Sequence, residues 1–126
     1  MKQKTFTSVR DEEHVISEAN GRMSREQIVL SAPSATILAG TVLGKLTATG
    51  EYVPLDVDAV TGAEEPAAIL APTEEPKSPV ADIRTSAHVR DCEVNGHKLV
   101  WPAGITGPEK AAAEATLADA GVLVRY

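Results

Sequence analysis

The sequence has little of two things on which small proteins often depend for stability, aromatic residues and cysteine. Phe, Tyr and Trp make up 3% of its 126 residues, so few large side chains are available to fill a core. A single cysteine, Cys92, excludes an internal disulfide. No stretch has the apolar length of a signal peptide or a membrane span. We therefore expect synthesis in a reducing cytoplasm, no membrane partner, and oligomerisation that enlarges a modest core.

Positive charge is also scarce. The chain carries 12 Lys and Arg against 18 Asp and Glu, a formal net charge of −6, and its basic residues are scattered rather than clustered. Phosphate binding depends on a basic patch or stripe. The charge pattern therefore predicts no direct contact with nucleic acid.

The first 26 residues are polar and charged, with no sustained period of 2 or 3.6. We interpret residues 1–26 as a flexible N-terminal arm and residues 27–126 as the folded domain. The arm has a few apolar points with which an extended segment can dock by strand addition on a partner. They are Phe6, Val9, Val15 and Ile16.

From Gln27 onward the sequence consists of short runs of β-branched and aliphatic residues separated by turn signals. The runs that predict strands are QIVL, TILAGTVLGKLT, EYVPLDV, AAIL at 67–70 and the alternating stretch from Ile83 to Val94. The last run ends at Asn95-Gly96, a strong hairpin signal, which predicts that HKLVW returns as its partner strand.

The C-terminal fifth of the chain has the signals of one helix. Thr106 and Glu109 have the spacing of a capping box, and Pro108 lies in the first turn, where its missing N–H costs nothing. The alanine-rich run KAAAEATLADA follows, and Gly121 is placed to end the helix before a final strand, VLVRY. The fold class is therefore mainly β with one short C-terminal α-helix.

Three residues within ten positions, His88, Cys92 and His97, are of the types that bind zinc. Their spacing crosses the Asn-Gly turn and no fourth ligand is near, so we interpret them as surface histidines and a half-buried thiol rather than a metal site. The segment GTVLGKL at 40–46 does not fit a phosphate loop. The carboxylates at 64–65 and 74–75 do not fit an acid–base pair. We predict no catalytic, cofactor-binding or metal-binding residues, and no enzyme activity.

Four segments together carry a family resemblance. LAGTVLGK at 38–45, TGEYVP at 49–54, AIL at 68–70 and LVWPAGIT at 99–106 before the helix resemble the head decoration proteins of tailed phages, the lambda head-decoration family. The resemblance runs roughly over residues 27–126. It implies a small β-clip-like fold whose homotrimers bind the major capsid protein at three-fold and quasi-three-fold positions. Such proteins lie on the outer capsid surface of the virion and stabilise the expanded head against packaged DNA.

Trp101 and Pro102 stand where the last internal strand is expected to turn into the helix. A large ring beside a proline of fixed φ can anchor that junction. The alternative is a direct capsid contact through Trp101. For the whole protein, the alternative function is an acidic trimeric module of the virion surface that binds a host glycan or host surface, and a hydrolase is a third.

Overall fold

Most of the strands, and the helix, lie in the segments that the sequence predicts for them. A computed structural model describes residues 11–19 and 23–126. The strands are β1 (Val15–Glu18), β2 (Arg25–Leu30), β3 (Val42–Lys45), β4 (Tyr52–Pro54), β5 (Pro66–Leu70), β6 (Ile83–His88), β7 (Cys92–Asn95) and β8 (Val122–Arg125), and the helix is α1 (Gly107–Asp119). The fold is mainly β with one C-terminal helix, which confirms the predicted class.

Five strands close into a barrel in the order β2-β4-β3-β5-β6. Its longest pairing is antiparallel, between β2 and β6, and runs from Arg25 opposite His88 to Leu30 opposite Ile83. A separate three-stranded sheet has the order β1-β7-β8, in which β7 pairs antiparallel with β1 and parallel with β8. The chain therefore builds its second sheet from strands far apart in sequence.

The core is divided into two clusters that share strands β3 and β5. The barrel residues form the first cluster: Ile28, Leu30, Ile37, Leu43, Tyr52, Ala68, Leu70, Ile83 and Ala87. The second joins the barrel wall to the small sheet and the helix: Val42, Leu55, Ile69, Cys92, Val94, Leu99, Ala113, Leu117 and Val122. Successive residues of a strand point to opposite faces, so Ile69 enters one cluster and Leu70 the other. This is why AAIL is apolar throughout rather than alternating.

Helix α1 begins and ends where the local signals predict. The Thr106 hydroxyl accepts a hydrogen bond from the Glu109 N–H, and the Glu109 carboxylate accepts one from the Thr106 N–H. Gly121, with φ of +92°, ends the helix in a conformation that other residues rarely adopt. No helix within the described residues is long and apolar enough to span a membrane.

The prediction of a β-hairpin at Asn95-Gly96 is wrong. The Asn95 side chain instead accepts a hydrogen bond from the His97 N–H and caps a short 3-10 turn, Gly96–Lys98. The chain then continues to Val100, which makes a parallel bridge with Thr41 in place of a returning strand. Strand β7 pairs with β1 and β8, and these tertiary pairings outweigh the local turn preference.

The N-terminal boundary also differs from the expectation of a flexible arm up to residue 26. Residues 15–18 form β1 in the small sheet, and β2 already begins at Arg25. The polar composition gives no sign of β1, because the strand that pairs with it, β7, lies more than 70 residues later in the sequence. Phe6 and Val9 lie outside the described residues.

Candidate functional site

Residues 11–19, here called the strap, cross from the barrel to the small sheet. The Glu12 N–H donates to the carbonyl of Ala71 at 3.0 Å, next to barrel strand β5. The carbonyl of His14 accepts from the Asn95 N–H at 2.7 Å, and β1 then pairs along β7. The strap therefore bridges both parts of the fold.

Strand β1 is an edge strand. Its outer side has no partner strand among residues 11–19 and 23–126, so its free backbone groups are available for strand addition. Of the apolar residues predicted to dock the arm, Val15 is half-buried and its neighbour Ile16 is 54% exposed. A docking role for these residues remains a prediction.

Two histidines lie together where the strap packs on the barrel, His14 in the strap and His88 at the end of β6. The rings of His14 and His88 are nearly perpendicular, with centroids 5.6 Å apart, and both residues are completely buried. His88 was expected at the surface, and that expectation is wrong because β6 faces the strap at this point. Sequence reasoning missed His14 entirely, since a histidine in a charged run gives no sign of burial.

Charged groups surround this histidine pair. Nε2 of His88 lies 2.9 Å from an Oε atom of Glu18, and the Arg25 guanidinium binds the carboxylates of both Glu12 and Glu18. The hydrogen bond from Arg25 is the main reason that the pKa of Glu18 lies below its usual value. The network ties the start and end of the strap to β2.

Glu12, Glu18 and His88 are also the one group in the described ranges whose possible metal-ligand atoms all lie within 4.8 Å of one another. The cationic Arg25 already bridges the two carboxylates, so a metal ion here has to displace a guanidinium. The absence of a bound metal therefore stays a prediction.

The three residues considered as zinc ligands are not brought together as a ligand group. Cys92 is buried in the second core cluster, and burial raises the pKa of its thiol to about 11. A thiol with so high a pKa is protonated at neutral pH and is a poor metal ligand or nucleophile. His97 lies exposed on the 3-10 turn with its ring against Tyr126.

The acidic loops expected to be solvated differ in their contacts. Glu64 accepts a hydrogen bond from the Gly62 N–H, and Glu74 accepts one from the Thr85 hydroxyl. Glu65 and Glu75 are exposed. The bonded carboxylates stabilise the loops and are not paired for acid–base chemistry.

The Trp101-Pro102 pair occupies the junction between the barrel and the helix. Val100, just before it, hydrogen-bonds across to Gly40 and Val42, and the helix begins five residues after Pro102. Trp101 is half-buried against the second core cluster, with the Lys110 ammonium 5.5 Å from the ring centroid. Its Nε1 is buried with no acceptor among the described residues. Its function as an anchor remains a prediction.

Comparison with known proteins identifies the family to which the chain belongs. A sequence comparison with curated proteins finds no match. The family model of bacteriophage lambda head decoration protein D matches residues 5–122 of the 126, and its members are structural components of the phage capsid rather than a class of enzymes. Because the match covers nearly the whole chain, this protein belongs to the bacteriophage lambda head decoration protein D family.

Proposed function

We propose that the protein is a cement for the phage head. It binds as homotrimers to the outer surface of the expanded capsid, at three-fold and quasi-three-fold positions, and stabilises the shell against the outward pressure of packaged DNA. The observation that carries this proposal is the family match over residues 5–122. A net charge of −6 is consistent with the outer face, because an acidic protein is repelled from DNA and keeps decorated particles soluble.

A trimer is well adapted to bind a capsid through several weak contacts. Cyclic three-fold symmetry matches the local symmetry of the junctions between capsomers, so each protomer repeats the same contact. Three weak contacts made at once give high avidity without a strong single contact. Binding to the expanded shell alone then stabilises that state by mass action.

The N-terminal segment is the proposed contact with the major capsid protein. Ile16 projects from β1, whose outer edge is unpaired within the described part of the chain, and Phe6 and Val9 precede it. An extended capsid segment can pair with this edge and cover Ile16, because strand addition gains affinity from main-chain bonds and specificity from alternate side chains.

The decisive experiment compares DNA-filled heads with and without saturating amounts of the protein on a temperature ramp. We expect DNA release at a higher temperature, and greater resistance to chelator, for decorated heads. We also expect binding to expanded shells and none to unexpanded shells. Identical release curves at full occupancy would refute the cement function, and binding on a glycan panel would then favour the host-binding alternative.

A surface variant tests the contact itself. Ile16→Ser removes the exposed apolar side chain on β1 and should weaken capsid binding about tenfold, the effect of losing roughly 1.4 kcal/mol of apolar burial. The matched control is Val60→Ser, since Val60 is 94% exposed on a loop of the barrel side. Equal affinities of the two variants contradict a contact through β1.

A further inference from the structure

The buried histidine pair connects the strap to the barrel. His14 belongs to the strap, and His88 ends β6 of the barrel wall. Gly40 packs closely beside this contact: a Cβ added there would stand 3.5 Å from Nδ1 of His14, at ordinary contact distance, but only 2.7 Å from the Lys98 carbonyl oxygen. The His14 ring therefore fills a closely fitting site in the body of the protein.

The hydrogen bonding of the pair is incomplete. Among residues 11–19 and 23–126, both ring nitrogens of His14 and Nδ1 of His88 are buried without a partner, and only Nε2 of His88 is bonded, to Glu18. An imidazolium has two N–H donors that need acceptors. A proton added to His14 in this place has no acceptor in the described part of the chain, so the docked strap accommodates His14 in its neutral form.

The neighbouring charges oppose a second positive charge at His14. Burial is the largest cause that lowers the pKa of His14, to about 4, and His88 and Arg25 lower it further while Glu12 raises it. Burial and Arg25 also lower the pKa of His88, against Glu18 and Glu12, which raise it. Glu13 of the strap also forms an ion pair with Lys98.

From the fit of these rings, their burial and their missing partners, we propose that His14 and His88 form a pH-sensitive latch. The latch holds the strap on the body at neutral pH and releases it in mild acid. Release frees β1 from β7 and exposes both imidazoles to water. The latch is a property of the isolated protein and does not depend on capsid binding.

The direction follows from linkage. A released imidazole takes up a proton near its ordinary pKa of 6.5, whereas docked His14 does so only near 4. The released form binds more protons between these values, so docking is favoured above pH 6.5 and lost as the pH falls. His14 alone raises the release equilibrium about tenfold for each pH unit below 6.5. Glu18, whose pKa is lowered, loses its charge only below 4.5. Between pH 6.5 and pH 4.5, the change in strap docking therefore comes from the histidines.

Hydrogen exchange of the full-length protein tests the latch, with rates corrected for the intrinsic effect of pH. Between about pH 7 and about pH 5, the protection of the Val15, Ala19 and Asn95 amides should fall at least tenfold. The amides that pair β2 with β6 should keep their protection. Uniform loss of protection in both places, or none in the strap, overturns the proposal.

Two variants separate the histidines from other acid effects. His14→Phe keeps a ring in the site but cannot be protonated, so its strap should remain protected at about pH 5. His97→Phe, on the exposed 3-10 turn, should behave like the unaltered protein. Acid release in His14→Phe equal to that of the unaltered protein contradicts the latch.

NMR titration of the unaltered protein gives a test that needs no variant. The His14 imidazole should titrate below 6.5, together with the loss of strap protection. A titration of His14 at its ordinary value while the strap stays protected overturns the proposal. Because none of these measurements uses capsids, their failure leaves the cement function untouched, and failure of the cement function leaves the latch untouched.

Discussion

At the scale of single residues, Trp101 is the largest side chain in a protein that has very few large ones. Its ring packs on the second core cluster, and the ammonium of Lys110 lies over both the Trp101 and Tyr126 rings. The Tyr126 hydroxyl also bonds Glu114 of the helix. The C-terminus, the helix and the junction are thereby joined around one indole.

Replacing Trp101 by Ala should lower the free energy of unfolding by about 2–3 kcal/mol, at or below the low end for fully buried tryptophans because the ring is half-buried. The loss should impair capsid binding chiefly by weakening the trimer. Urea unfolding followed by circular dichroism measures the stability. Lys110→Met, which removes the cation but keeps the aliphatic stem, is the control and should cost about 0.5–1 kcal/mol. A Trp101→Ala protein as stable as this control contradicts an anchoring role.

At the scale of elements, α1 combines a narrow buried face with a complete N-terminal cap. Of its 13 residues only Ala113 and Leu117 are buried, so the helix contributes a narrow apolar face to the second core. The reciprocal Thr106–Glu109 bonds satisfy two N–H groups that have no partner within the helix. The cap therefore adds to the stability that the narrow buried face supplies.

Thr106→Ala should lower the free energy of unfolding by about 1 kcal/mol through the loss of this cap. Thr116→Ala is the matched control, because the Thr116 hydroxyl only bonds the Ala112 carbonyl of its own helix. That change should stay within about 0.5 kcal/mol. Chemical denaturation of both variants measures the difference, and equal stabilities would show that the cap is dispensable.

The strap is the other element whose removal has a definite consequence. A chain that begins at Asp11 keeps β1 and should unfold like the full-length protein while binding capsids more weakly. A chain that begins at Ser24 loses the β1–β7 pairing and uncovers His88, which should cost about 2–4 kcal/mol. It should bind capsids weakly as well. Thermal unfolding and capsid co-sedimentation of both truncations measure the two effects, and normal capsid binding by the second truncation would refute a contribution of the N-terminal segment.

At the scale of the whole molecule, two small cores share one barrel wall and leave several large apolar side chains outside. The exposed ones are Ile16, Met23, Leu38, Val60, Val80, Leu123 and Tyr126. Association with further copies or with a capsid can cover part of this surface and enlarge the apolar area buried for each protomer.

We expect light scattering at micromolar concentration to give three times the 13.2 kDa protomer mass. The physical reason is that one protomer has few large apolar residues with which to stabilise itself. Dilution should shift the thermal midpoint downward, because subunit association contributes to stability. A stable, folded monomer whose midpoint does not depend on concentration contradicts the trimer.

The sequence by itself determined the features whose causes are local. Both ends of α1 were predicted correctly from Thr106, Glu109 and Gly121, because caps act within a few residues. The strand runs were located because apolar and β-branched residues favour strands wherever a core is available. Composition likewise predicted the mainly β class, and the motif order indicated the family.

Only the tertiary structure decided which strands pair and where residues 11–19 lie. Asn95-Gly96 has a strong local hairpin signal, yet β7 pairs with β1 and β8, which lie towards opposite ends of the chain. His14 and His88 meet across 74 positions of sequence, in a contact that no spacing rule describes. Pairing and burial are non-local, because each depends on the free energy of the whole assembled core, and that free energy cannot be inferred from any one segment.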